Sequence, residues 1–92
     1  ELLTPEHRQA APHIYATISQ CADKMQSMTP AELTAWVIDT IDSNPLLKTI
    51  YFEAVDATTM QRVDNWNESS RIQGCCAVQA GQIRLIDNIK IK

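Results

Sequence analysis

Apolar residues recur at spacings of three and four as Ile14, Ile18, Cys21, Ala22 and Met25, which is one face of a helix. Thr4-Pro5-Glu6 precedes them as a start signal. Threonine can cap a free backbone N–H, proline tolerates the first helical position, and glutamate suits the positive end of the helix dipole. Pro12 lies inside the pattern and removes one backbone hydrogen bond, so the helix is expected to kink or split near Ala11. That predicts a short first segment and a longer second one ending near Gln26. Thr29-Pro30-Ala31-Glu32 is a stronger start, a capping box with Thr29 at the N-cap and Glu32 at N3. Leu33, Val37 and Ile41 follow at spacing four, flanked by Trp36 and Ile38. This helix is expected to run to about Asp42 and to end at Ser43-Asn44-Pro45, because a residue before proline avoids the helical region.

Beyond Pro45 the period changes to alternation. Ile50, Phe52 and Ala54 are expected on one face of a strand, with Tyr51, Glu53 and Val55 on the other. The polar run from Asp56 to Ser70 reads as a connection with a short turn. Arg71 to Gln79 is read as a second strand, Gly81 as the left-handed residue of a hairpin turn with a bulge, and Gln82 to Ile91 as a third strand. In the third strand Ile83, Leu85, Asp87, Ile89 and Ile91 share one face, and Arg84, Ile86, Asn88 and Lys90 the other. The expected fold is one α+β domain over residues 1–92, with two main helices, the first kinked at Pro12, packed on a small three-stranded antiparallel sheet. The sheet's second face is expected to be open to water, and Lys90 and Lys92 to discourage further strand pairing.

The chain has 92 residues, room for one modest core. Its net charge is −3, and its eight Lys and Arg are spread without a basic block, so no nucleic-acid partner is expected. The apolar runs are only a few residues long, so no membrane span is expected, and no stretch reads as a signal peptide. Cys21, Cys75 and Cys76 are odd in number and lack CxxC spacing, which argues against a disulfide framework or a zinc site. They read as small apolar filler in a reducing cytoplasm. The first residue is Glu1 rather than Met, which is read as processing or as a piece of a longer protein.

Candidate chemistry is sparse. His7 and His13 are six apart and so lie on different helix faces, whereas a helical metal pair needs i and i+4. The two glycines, Gly74 and Gly81, make no phosphate loop. Asp56 and Thr58 are read as a side-chain turn, Trp66 as an anchor under its loop, and Trp36 as a core residue. Arg84, Asp87 and Asn88 form the most specific cluster. Arg84 and Asp87 lie on opposite faces of their strand, and Asp87 and Asn88 are expected to hydrogen-bond backbone.

Gly81-Gln82-Ile83-Arg84-Leu85-Ile86-Asp87-Asn88 resembles the G-x-x-R-L-I-D-N ending of the pantothenate synthetase (pantoate–β-alanine ligase) family. Leu3-Thr4-Pro5-Glu6-His7-Arg8 with Ala11-Pro12 is similar to that family's L-T-x-E-x-R and A-P run. Tyr51 to Ala57 with Thr59-Met60 resembles its Y-x-E-x-x-D-A-x-T-L stretch. Three such pieces in order cover nearly the whole chain. The Asp64–Ser70 loop is slightly longer than the pattern, and Gly74-Cys75-Cys76 replaces a more aliphatic stretch.

The resemblance implies the C-terminal lid domain of a larger two-domain ligase. Its partner would be an N-terminal Rossmann-like domain of the same chain, which binds ATP (with Mg) and pantoate. In that family ATP adenylates the pantoate carboxylate and releases pyrophosphate, and the amine of β-alanine then attacks, giving pantothenate and AMP. The resemblance assigns no catalytic, cofactor-binding or metal-ligating role to any residue here, and this piece alone is expected to bind no cofactor and to be inactive. Arg84, Asp87 and Asn88 then read as framework or domain-interface residues. The alternative is a stand-alone α+β interaction module.

Overall fold

The computed structural model describes residues 4–92. Glu1 and the Leu3 of the first family-like run lie outside the described residues. Four helical segments, α1 (Pro5–Ala10), α2 (Pro12–Ile18), α3 (Cys21–Lys24) and α4 (Pro30–Asp42), precede three strands, β1 (Leu47–Asp56), β2 (Ile72–Ala80) and β3 (Ile83–Lys90). The strands form one antiparallel sheet in the order β1-β2-β3. α4 packs along β1, and α2 contacts both α4 and β3. The architecture is thus the expected α+β layer pair.

Local chemistry accounts for most boundaries. The Thr4 hydroxyl accepts from the His7 amide at 3.2 Å to start α1, and the chain turns at Ala11 before Pro12 opens α2. The long second segment expected to reach Gln26 is interrupted. Ser19 and Gln20 form a turn, with both side chains bonded back to the Ala16 carbonyl, a competition that weakens regular helix. Ile14 and Ile18 before the break and Cys21 after it are buried, while Ala22 is exposed. Thr29 and Glu32 form the full reciprocal capping box, at 3.1 and 2.9 Å. Leu33, Val37 and Ile41 are completely buried.

Strand faces depart from expectation at one point. The β1–β2 register shifts between Thr49 and Tyr51, inserting Ile50 as an extra residue. A bulge reverses the parity of the strand. Ile50 is therefore 45% exposed instead of sharing the core with Phe52 and Ala54. At the next connection the expected bulge is absent. Ala80 pairs with Ile83, leaving a two-residue turn in which Gly81 takes φ +63°. That positive φ at the first central residue suits a turn of type II′. β3 alternates as predicted, with Ile83, Leu85, Asp87 and Ile89 partly covered and their neighbours exposed.

The core lies between the helices and one sheet face, where Ile14, Ile18, Leu33, Val37 and Ile41 meet Phe52, Cys76 and Val78. Gly74 is part of that fit. A Cβ at position 74 would come within 2.8 Å of the Phe52 ring and 3.2 Å of Ile91 Cδ1. Gly74→Ala is therefore expected to destabilise the fold by about 1–3 kcal/mol through overpacking, read as a lowered urea midpoint at unchanged m-value.

Candidate functional site

The polar residues that the sequence singles out do not converge. Arg84 is exposed and pairs across to Gln79, whereas Asp87 lies on the helix-covered face opposite Cys76. The Asp87 carboxylate accepts the Asn88 amide at 2.8 Å, a local backbone contact of the expected kind. His7 lies at the β2–β3 turn, its ring 3.1 Å from where a Cβ on Gly81 would sit. His13 is elsewhere, with Nε2 2.8 Å from the Thr40 carbonyl, joining α2 to α4.

Asp56 organises the connection after β1. Its Oδ1 accepts the amides of Thr58 and Thr59 at 2.7 and 2.8 Å. The nearby Ser69 hydroxyl first, and then those amides, hold its carboxyl down at about 2. The chain then folds back along the outer edge of β1, with Val55 bridged to Arg62 and the Val63 amide bonded to the Ala54 carbonyl at 2.9 Å. Trp66 anchors the loop as predicted, donating Nε1–H to the Met28 carbonyl at 2.7 Å and packing against the core. Trp36 also packs against the core, with the Lys24 ammonium 4.4 Å from its ring centroid, a cation–π contact.

The thiols divide into two kinds. Burial, with the Cys76 thiol close by, pushes Cys21 up to about 12. Burial, then the Asp87 carboxylate, pushes Cys76 up to about 11. Both are protonated at neutral pH and so are poor nucleophiles. Cys75 is half-buried on the opposite sheet face.

Recesses among the described residues include the following. One of about 530 Å³ runs between α4 and the edge of β1, with Ile38, Phe52 and Val63 in its walls. A second of about 350 Å³ lies beside Met28 and Trp66. A third of about 410 Å³ lies at the open end of the sheet among Arg71, Asn88 and Lys90. Neither glycine lies open to a phosphate. A phosphate loop uses glycines to bring bare backbone to the ligand, but the space beside Gly74 is taken by Phe52 and that beside Gly81 by His7. Among the described residues no group of three or more His, Cys, Asp or Glu could hold a metal ion. The row Tyr51–Ala77–Ile86 crosses the open sheet face, which alternation alone predicts to be wet. Its signal was apolar residues at positions assigned to the wet side of two strands.

Comparison with known proteins adds what the side chains alone do not. A family model described as pantoate-beta-alanine ligase matches residues 1–90. The chain belongs to the pantoate–β-alanine ligase family. A pantothenate synthetase of Porphyromonas gingivalis ATCC 33277 is 40% identical over 88 residues, covering 96% of this chain and 31% of that protein. One from Bacteroides fragilis YCH46 is 42% identical over 90 residues, covering 98% of this chain and 32% of that protein. The crystal structure of pantothenate synthetase from Thermus thermophilus shares the fold with a TM-score of 0.83 at 24% identity, covering 98% of this chain and 32% of that one. The chain thus spans about a third of the length of these family members.

The Asp56 turn makes acid behaviour testable. A carboxyl with a lowered folded pKa stabilises the fold above its unfolded value, here 3.8, and loses that contribution as pH falls through about 2. Urea midpoints of the chain should therefore drop more steeply over that interval than those of Asp56→Asn. Parallel curves for the two proteins would show that the turn does not depend on the charge.

Proposed function

We propose that this chain is the C-terminal domain of a two-domain pantoate–β-alanine ligase and covers the active site as a lid. The observation that carries the reading is a family match spanning residues 1–90 yet only about a third of the relatives' length. The whole enzyme would use ATP to adenylate pantoate, release pyrophosphate, and pass the acyl group to β-alanine. An acyl-adenylate is prone to hydrolysis, so such a site has to exclude water while the intermediate waits. A small domain hinged over a cleft supplies that exclusion, and its opening can limit turnover.

Two features of this chain support the division of labour. Its glycines are occupied by packing rather than open to phosphate, and two of its three thiols are held protonated by burial. Nucleotide binding and bond making are therefore assigned to the preceding Rossmann-like domain. The compartment is proposed to be the cytoplasm, in keeping with three free cysteines.

The natural polypeptide should carry roughly 180 residues of α/β pattern ahead of these, about one domain's length. That polypeptide should form pantothenate from pantoate, β-alanine and ATP, whereas the purified 92-residue chain should not catalyse pantoate-dependent ATP–pyrophosphate exchange. Exchange by the short chain would overturn the division of labour. A start codon directly before Glu1 would favour a stand-alone interaction module.

A further inference from the structure

The eight Lys and Arg are spread along the sequence, but the fold gathers three of them. Antiparallel pairing brings the end of β3 beside the start of β2. Gln73 pairs with Lys90, and Ile72 exchanges backbone hydrogen bonds with Lys92 at 3.1 and 3.2 Å. Arg71 directly precedes Ile72. The recess of about 410 Å³ at this end of the sheet is therefore walled by Arg71, Lys90 and Lys92, with Ser70 and Asn88 between them. No aspartate or glutamate is among the described residues that line it, although the whole chain has a net charge of −3.

These cations are held in place without being neutralised. The Lys92 ammonium is fixed by the carbonyls of Trp66 and Ser69. Both acceptors are neutral, so its charge stays unanswered and one of its three N–H donors is left over. The Arg71 backbone is pinned at both ends. Its amide donates to the Ser69 hydroxyl at 3.0 Å, and its carbonyl accepts the Ala57 amide at 2.9 Å and the Ser69 hydroxyl at 2.8 Å. The exposed side chains of Arg71 and Lys90 have no carboxylate partner among the described residues. Glu53 and Asp56, on the neighbouring strand β1, do not line the recess, and Asp56 is taken by the amides of Thr58 and Thr59. Three like charges around one recess repel one another, and an anion seated between them removes that cost.

We infer that this recess binds a phosphate group, carried by a free anion such as pyrophosphate or by the end of a nucleotide's phosphate chain. The guanidinium fork of Arg71 matches two oxygens of one phosphate. The two ammonium groups act as point charges, and the Ser70 hydroxyl and Asn88 amide add neutral donors to the wall. A single carboxylate would leave two of the three cations unanswered, whereas a phosphate group carries about two negative charges. The volume lies within the range of about 300–1,000 Å³ usual for small-ligand recesses. The site is built from side chains rather than bare backbone, so the packing at Gly74 and Gly81 does not bear on it. It stands on the recess and does not need the ligase reading.

The test is equilibrium dialysis of the natural full-length polypeptide against radiolabelled pyrophosphate and, in parallel, radiolabelled ADP. Wild type is compared with the double variant Arg71→Gln, Lys90→Gln. Both side chains are exposed, so the variant should fold with an unchanged urea midpoint. Wild type should hold an equivalent of labelled ligand that the variant binds about tenfold more weakly, the effect of losing charge-assisted hydrogen bonds. The control Lys48→Gln, Arg62→Gln removes the same charge elsewhere and should bind as wild type does. A difference confined to pyrophosphate names the free anion as the ligand, and a difference with ADP names the nucleotide's phosphate chain. Equal binding of both ligands by wild type and the double variant, or the same loss in the control, would overturn the inference. Pantothenate formation by the same wild-type preparation keeps the two questions apart. An active enzyme with equal binding refutes this site alone, and an inactive polypeptide that shows the difference refutes the ligase reading alone.

Discussion

The structure depends on one-sided burial. A three-stranded sheet has two faces, and this chain provides helices for only one. The apolar stripe of α4 and the inward residues of α2 must therefore seat against a single row of inward residues on each strand. Burial of this kind contributes roughly 25 cal/mol for each Å² of apolar surface removed from water. In so small a domain that leaves little margin for misfit. Gly74 follows from this constraint, since it leaves room for the Phe52 ring between the layers. The same constraint leaves Cys75 and Ala77 facing away from the helices, where the described residues supply no second layer.

Where local chemistry and tertiary packing agree, the sequence was legible. The capping box at Thr29, the termination before Pro45 and the alternation of β3 all appear as read, because each is decided by neighbours a few residues away. The misreadings share a different cause. The break at Ser19–Gln20 depends on side chains choosing the Ala16 carbonyl over continued helix, and composition does not announce that choice. The bulge at Ile50 is a property of pairing with β2, visible only when two strands are laid together. The return of residues 61–63 along β1 likewise needs the partner strand, since its own sequence alternates no better than a loop.

The candidate site was less legible than the fold. Arg84, Asp87 and Asn88 stand together in sequence, but strand geometry sends Asp87 to the helix-covered face and Arg84 and Asn88 to the other. Family membership rests on the ordered motifs and on relatives about 40% identical. Neither composition nor the three recesses would have distinguished a ligase domain from any other small α+β unit. Tyr51 and Ile86 are apolar side chains on a face expected to be wet.

One feature at the end of the sheet reaches further than its position suggests. The Lys92 ammonium donates to the carbonyls of Trp66 and Ser69, at 2.7 and 2.9 Å. Trp66 in turn donates to Met28, the residue before the α4 cap. A relay of three contacts thus ties Lys92 to the first turn of the principal helix. Replacing Lys92 with methionine would remove the ammonium from this relay, slacken the loop, and be felt some sixty positions earlier in the chain, at the point where α4 begins.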